Sequence, residues 1–421
     1  MNTVENNKSM RVAVIGAGVS GLVSAYLLRD AHDVVLFEAK DKPGGHSWTV
    51  DVPHAGQTWP VDTGFIVYNE RTYPNFIRLL TELGLSGRPT EMSFSVRDPQ
   101  QNMEYCSRGL PGVFAQRRNL LRPAHYRMVR DILRFNRESL ELLEHPQDIS
   151  LQDYVRERGY SDAFVQRYLL PMCAAIWSAP LAEAGAFPAE HFVRFFSNHG
   201  LLSVGGQPQW FTVPGGSQQY VQRIAAVLGE RIRSGHAVTG IRRRDTGVEV
   251  RVNGATETFD RVILACHSDE ALALLDDPSE HESTILGGLP YQDNDVLLHT
   301  DTRVLPRTRR AWASWNYSID RDPAKAATLT YHMNRLQGLD APVEFCVTLN
   351  QREAIDPGQV LGEYVYAHPV YTLAANRQRE RRAEINGVRN THFCGAYWYN
   401  GFHEDGVRSA LDVVHQLGVD W

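Results

Sequence analysis

The stretch from Arg11 to Glu38, RVAVIGAGVSGLVSAYLLRDAHDVVLFE, carries the reading on which the fold turns. Arg11 to Ile15 is a short apolar run, Gly16 to Gly21 supplies the breaks, and Leu22 to Arg29 has helical apolar spacing. Val34 to Phe37 is a second apolar run, ending at Glu38. This pattern is a βαβ unit. Gly16-Ala17-Gly18-Val19-Ser20-Gly21 sits between its strand and its helix, with Glu38 twenty-two residues after Gly16. The first glycine allows a tight turn, the second lets backbone approach a pyrophosphate, the third permits close helix packing, and the helix N-terminus favours an anion. Glu38 would accept the ribose hydroxyls of an adenosine. The spacing predicts dinucleotide binding, with Gly16, Gly18, Ser20, Gly21, Glu38 and the adjoining Ala39 as candidate contacts; the alternative is a coincidental glycine turn.

Around this unit the chain is ordinary globular material. It has 421 residues, 43% hydrophobic and 22% charged, and its 43 basic and 49 acidic residues leave a net charge of −6. Nothing in that balance points to a nucleic-acid partner. Cys106, Cys173, Cys266, Cys346 and Cys394 are odd in number, far apart and free of CxxC spacing, which indicates neither a disulfide framework nor a zinc site. The opening MNTVENNKSM lacks the apolar core of a secretory leader, and no later stretch approaches the roughly 18 uninterrupted apolar residues of a membrane span. A cytoplasmic protein is expected, at most peripheral at the inner membrane face. Only Lys8, Lys40, Lys42 and Lys325 are lysines, so 39 of the 43 basic residues are arginine.

No repeat or low-complexity tract interrupts the chain. Ser107 to Leu143 and Leu151 to Tyr168 carry helical apolar spacing, broken by Pro111, Pro123, Pro146 and Pro171. Val238 to Val252 reads as a hairpin turning at Asp245 to Gly247, and Arg261 to Ala265 as another strand. Asp295 to His299, Thr328 to Met333 and Glu344 to Leu349 alternate as strands of a second sheet. The terminal block passes from a strand through a glycine and aromatic loop into a helix starting near Glu404.

Lys42-Pro43-Gly44-Gly45-His46, Val61-Asp62-Thr63-Gly64-Phe65, Thr212 to Ser217, Val262 to Ala265 and Gly395 to Gly406 follow the glycine loop in a set order. With them the chain resembles the flavin amine oxidase superfamily, in which the double glycine after the acidic strand end wraps FAD. The resemblance implies FAD rather than NAD. It adds Gly44, Gly45, His46, Thr63, Gly64, Val238, Ala265, Gly395, Gly401, Glu404, Asp405 and Val407 as cofactor contacts. It also implies an α/β fold: a discontinuous Rossmann-like FAD-binding domain of the amine-oxidase type with an inserted α+β substrate domain. FAD-binding parts are expected at 10–75, 210–285 and 388–421, a helical substrate part at 76–209 and a substrate-side sheet at 286–387. Two positions depart from the family: His46 stands where an arginine is usual, and Ala396 where an acid is. The lysine that amine oxidases of this superfamily commonly place beside flavin N5 has no evident counterpart, since Lys325 lies in a polar segment.

Across nearly its whole length the chain is also similar to bacterial NAD/FAD-binding proteins found alongside cyclopropane-fatty-acid-synthase-like enzymes. The phrases VDTGFIVYNERTYPNF, LLPMCAAIWSAP, RFFSNHGLLS and GFHEDGVRSAL carry that likeness. One branch resembles the flavin desaturase of furan fatty acid formation. The resemblance implies a lipid acyl substrate, methyl-branched or unsaturated, desaturated by hydride transfer to flavin N5. It also implies a cyclopropane-synthase-like partner enzyme; the electron acceptor is left unknown. An amine oxidase, a flavin-dependent isomerase and a lipid-escort protein without redox activity are the alternatives.

Between Arg108 and Arg137 eight arginines face Asp131 as the one acidic residue, interleaved with Leu110, Leu120, Leu121, Met128 and Leu133. Such a stretch either rests on an anionic membrane surface or is a solvated face paired with acids elsewhere. Oxidation at carbon needs the carbon held at the flavin, an apolar tunnel and a base for the second proton. His403 is the first candidate for that base, because an imidazole titrates near neutrality; the alternative is a satisfied structural histidine. Tyr68 and Glu70, following the Val61 to Phe65 motif, face the substrate or cap the next helix. Trp398, Phe402, Trp315, Tyr317 and Trp177 are candidate tunnel walls, core packing being the other reading. No metal-ligand or hydrolase motif appears.

Overall fold

The computed structural model describes residues 9–203 and 205–421, so Lys8 and most of the polar opening segment lie outside the described residues. A five-stranded parallel sheet runs in the order Ile232–Arg233, Asp33–Phe37, Arg11–Ile15, Arg261–Leu264, Thr391–Phe393. Its strands thus come from the beginning, middle and end of the chain. Ile15 stands opposite Phe37 on one side and Leu264 on the other, which aligns the strand ends from which the binding loops leave. A parallel sheet must be covered on both faces, and strand alternation does this. Val12 and Val14 pack under the helices Val19–Leu28, Gln218–Leu228 and His403–Gln416. Ala13 and Ile15 pack on the opposite face against the strands Val238–Arg244, Gly247–Val252 and Ala255–Phe259.

The second sheet has seven strands, ordered Val360–Pro369, Tyr291–His299, Cys346–Leu349, Thr328–His332, Trp315–Ser318, Phe94–Asp98, Met103–Cys106. Helices built from residues 123–198 cover the Phe94, Val96, Tyr317 and Leu329 side. The segment 76–209, expected to be helical, is therefore mixed: Arg88–Thr90, Phe94–Asp98 and Met103–Cys106 are strands. Arg88–Thr90 and Phe94–Asp98 pair with strands more than 100 residues away, beyond the reach of local periodicity, and Met103–Cys106 joins the sheet as the hairpin partner of Phe94–Asp98.

Two of the prolines read as breaks behave otherwise. Pro123 opens the helix Pro123–Glu138, where the amide it lacks would have had no partner. Pro171 lies in the first turn of Leu170–Trp177, directly after the π turn Val165–Leu169, whose wider winding makes room for the ring. The hairpin closes at Arg244 opposite Gly247, and the last helix begins at His403.

Candidate active site

The glycine loop is shaped by backbone crowding on one side and open space on the other. Gly16, at φ +99°, donates its N–H to Phe37 O at 2.8 Å. A Cβ on Gly21 would lie 1.9 Å from Gly16 O, so a side chain there would push the first helix off the strand. A Cβ on Gly18 would meet nothing within 4 Å. That clearing lies at the N-cap of Val19–Leu28, where unpaired amides and the helix dipole attract an anion. Ala17 N–H donates to Glu38 Oε2 and Lys40 N–H to Glu38 Oε1, at 2.8 and 2.9 Å, which holds the carboxylate at the mouth of the loop.

The double glycine closes over this loop. Gly44 donates its N–H to Ala17 O at 2.8 Å, and a Cβ on Gly45 would come 2.9 Å from Gly18 Cα. The last helix approaches the same place: Ser20 Oγ donates to Gly406 O at 2.9 Å, and a Cβ on Gly406 would meet Val19 Cγ1 at 2.6 Å. Two helix N-termini, those of Val19–Leu28 and His403–Gln416, therefore converge. Ala265 carries Gly16 against its carbonyl, and Val238 starts the strand beside the Glu38 segment, whose carbonyl accepts from His236 N–H. Ala39 stays exposed.

Further along, His46 meets the second sheet. Phe65 N–H donates to His46 O at 2.8 Å, and a Cβ on Gly64 would sit 2.2 Å from that same oxygen. Thr63 Oγ1 and Tyr366 Oη are 2.7 Å apart. The His46 ring lies 4.9 Å from Tyr366, 5.7 Å from His368 and 5.9 Å from His267, centroid to centroid. His368 Nδ1 is 3.0 Å from Ser178 Oγ and 3.3 Å from Asn294 Nδ2. Burial, then His368 and His267, holds His46 well below the ordinary imidazole range. His368 is lowered to about 4 by burial and then by His267. Both rings are neutral at physiological pH. His46 had been marked by the resemblance, but His368 was missed. Tyr364, Tyr366 and His368 at alternate positions on one strand were the available signal.

Packing defines the surroundings of the three sequence candidates for acid-base work. His403 is stacked on Phe65 at 3.6 Å and 9°, with Nε2 2.8 Å from Tyr220 Oη, and burial lowers it to about 3. The imidazole is thus clamped inside the nucleotide half. Tyr68 is buried among Tyr73, Phe76 and Phe211, its hydroxyl against Gly87. Glu70 is exposed and accepts Gln209 N–H at 3.0 Å.

In the terminal motif the side chains of Glu404, Asp405 and Val407 are each engaged within the protein. Glu404 accepts from Asn75 N, Asn75 Nδ2 and Phe76 N at 3.1, 2.6 and 2.9 Å, so its carboxylate caps the helix Pro74–Glu82. Asp405 accepts Phe402 N–H at 2.9 Å, closing its own helix, and burial raises it to about 7. Val407 places its side chain in the core under the parallel sheet. Gly395 gives its N–H to Ser409 Oγ at 2.9 Å, and Gly401, at φ +86°, lies so close to Tyr371 that a Cβ would be 2.6 Å from its hydroxyl.

Phe402 and Trp177 do meet in one aromatic wall. Phe402 stacks on Phe195 at 4.8 Å, and Trp177 lies 5.0 Å from Phe195, 4.2 Å from Phe187 and 6.2 Å from Tyr371. Trp177 Nε1 donates to Asn400 O at 3.4 Å, which ties the helical segment to the terminal loop. A cavity of about 140 Å³ opens among Trp177, Phe187, Gln292 and Tyr371. Phe187 and Tyr371 are members that the sequence reading did not name. Trp315 stands on the second sheet, 5.4 Å from Tyr331 and with Nε1 buried and unpartnered, whereas Tyr317 belongs to the core under the helices. Trp398 does not join them: it packs with Leu264 and Phe393 and lines an outer groove with Arg382 and Trp421. Trp398 and Phe402, four residues apart, thus belong to different clusters.

Lys40 and Lys42 are exposed near the nucleotide mouth, and Lys325 is bound on the surface by Glu353 and Asp320 at 3.0 and 3.7 Å. Among the described residues, then, none of the lysines stands in the aromatic wall.

A glycine loop at the end of a parallel strand, closed over by a double glycine and approached by a helix from the far end of the chain, defines a dinucleotide-binding α/β protein. Residues 19–310 match the family described as flavin containing amine oxidoreductase, and the chain belongs to that family. Its members bind FAD, and the open side of Gly18 beneath Gly45, with the Glu38 carboxylate nearby, fits that cofactor. The chain is 29% identical over 279 residues to AofH of Mycobacterium tuberculosis, a protein named as a flavin-containing monoamine oxidase, covering 63% of this chain and 59% of that one. It is 28% identical over 253 residues to an L-amino acid dehydrogenase of Synechocystis, covering 56% and 51%. The match thus spans only half to three-fifths of these curated relatives. Among solved structures, a CLA-producing fatty acid isomerase from P. acnes superposes with a TM-score of 0.71 at 16% identity over 98% of this chain and 99% of that one. A putrescine oxidase variant superposes with a TM-score of 0.70 at 17% identity over 97% and 98%. These two likenesses show the fold.

Proposed function

We propose that this protein is an FAD-dependent oxidoreductase that desaturates a lipid acyl chain, methyl-branched or unsaturated. The observation that carries the reading is the wall of Phe402, Phe195, Trp177, Phe187 and Tyr371, an apolar surface that would align a hydrocarbon by burial rather than by charge. The position of Lys325 on the surface argues against the usual amine oxidase arrangement. That a fatty acid isomerase shares this architecture is in keeping with an acyl substrate. Bound FAD supplies the two-electron oxidant. Desaturation also releases a proton, which a base beside the wall must take up. Dioxygen or another acceptor takes the electrons afterwards, and a cyclopropane-synthase-like enzyme would supply the branched chain.

The test mixes the FAD-loaded protein with methyl-branched or monounsaturated phospholipids without oxygen. The expected result is loss of the flavin absorbance at ~450 nm and lipid lighter by two hydrogens. Peroxide release with polyamines and no change in the lipid would replace the reading with an amine oxidase. Acyl rearrangement by reduced enzyme without an acceptor would make it an isomerase. A colourless preparation retaining lipid would make it an escort protein.

A further inference from the structure

We propose that the tip formed by residues 109–137 docks on an anionic lipid bilayer. This surface lies on the helical segment and is argued from charge and exposure alone, so it stands apart from the acyl-chain reading. Among the described residues, six of the ten large apolar side chains that are exposed fall between positions 110 and 140: Leu110, Leu120, Leu121, Tyr126, Leu133 and Leu140. Leu121 is 86% exposed and Leu110 72%. A soluble surface rarely concentrates apolar groups this way without a use for them.

The patch is held firm from below. Asn119 Nδ2 donates to Glu104 O at 3.0 Å, His125 Nε2 is 2.9 Å from Val113 O, and Tyr126 Oη donates to Leu120 O at 3.0 Å. These contacts join the short helix Gly109–Val113, the turn Arg117–Leu121 and the helix Pro123–Glu138 into one platform. Along that helix His125, Met128, Asp131 and Phe135 are buried, leaving Tyr126, Arg130, Leu133 and Arg137 on the opposite stripe.

The charge pairing favours a membrane over a plain solvated face. Arg108 pairs with Glu91 at 3.5 Å, Arg130 with Asp131 at 3.0 Å, and Arg134 and Arg137 with Glu138 at 2.9 and 3.6 Å. Arg117, Arg118, Arg122 and Arg127 form no ion pair among the described residues; Arg118 and Arg122 reach only the amides of Gln116 and Asn119 and the Gln101 carbonyl. Burial first, then Arg118 and Arg167, holds Arg122 below the ordinary guanidinium range. Unpaired guanidinium groups beside exposed leucines match the two layers of an anionic surface, headgroup charge outside and acyl chain beneath.

The experiment sediments the FAD-loaded protein with phosphatidylcholine vesicles, with and without phosphatidylglycerol. Binding is expected only to the anionic vesicles and is expected to weaken as salt rises. Arg117→Ala with Arg118→Ala should lower partitioning about 30-fold at roughly 1 kcal/mol per basic residue. Leu110→Ser with Leu121→Ser should also lower it, while Leu361→Ser, an exposed leucine elsewhere, should not. Retained flavin absorbance and thermal midpoint certify each variant. Equal binding to neutral vesicles would overturn the proposal. So would loss on removing the arginines but not the leucines together with binding to RNA, which would make the patch a polyanion site.

Discussion

Gly18 and Gly21 belong to one motif but answer to different forces. Gly21 is glycine because Gly16 O occupies the Cβ position at 1.9 Å, so Gly21→Ala should cost several kcal/mol and yield little folded protein. Gly18 has open space and φ −72°, which any residue adopts, so its Cβ would disturb only what lies outside the chain. Gly18→Ala should leave the thermal midpoint of the cofactor-stripped protein within about a degree or two while weakening FAD retention at least about tenfold. Flavin content after gel filtration, set beside the melting curves, checks both. His403 gives the complementary lesson: its place in the terminal motif was legible, but its role depended on Phe65 and Tyr220, far away in sequence.

At the scale of elements, the junction between Pro74–Glu82 and His403–Gln416 rests on one buried carboxylate. Glu404 satisfies two N-terminal amides of the earlier helix and the Asn75 side chain, the Phe76 amide among them being buried from water. Glu404→Ala is expected to cost roughly 2–3 kcal/mol, read as a lower urea midpoint. Glu404→Gln, which keeps one acceptor oxygen, should cost less. The strands Val238–Arg244 and Gly247–Val252 and the first βαβ unit could be read from the chain because their partners are close in sequence. Phe94–Asp98 could not, since it is ordered by pairing with Trp315–Ser318.

For the whole molecule, buried histidines set the acid limit of stability. Burial is the first cause that lowers His191 and His403 to about 3, and His199, His299, His368 and His392 to about 4. An unfolded imidazole takes its proton near 6.5, so each such group contributes stability that is present above 6.5 and lost as pH falls towards 4. Asp62 and Asp405 act in the opposite sense: raised by burial to about 7 from 3.8, they stabilise the fold more as pH falls through the same window. Six groups outweigh two. The thermal midpoint at saturating FAD should therefore drop between pH 7 and pH 5; a midpoint that is flat or rises would refute the balance.

The glycine loop, the acid at Glu38, the double glycine and the order of the nucleotide-binding pieces were determined by the sequence alone, because each depends on backbone conformation or short-range spacing written in consecutive residues. The aromatic wall, the grouping of His46, His267 and His368, and the division of Trp398 and Phe402 between two clusters were decided only by tertiary structure. Those residues come from segments hundreds of positions apart, and what brings them together is sheet register and the burial of apolar surface, for which no single stretch of chain carries the instruction.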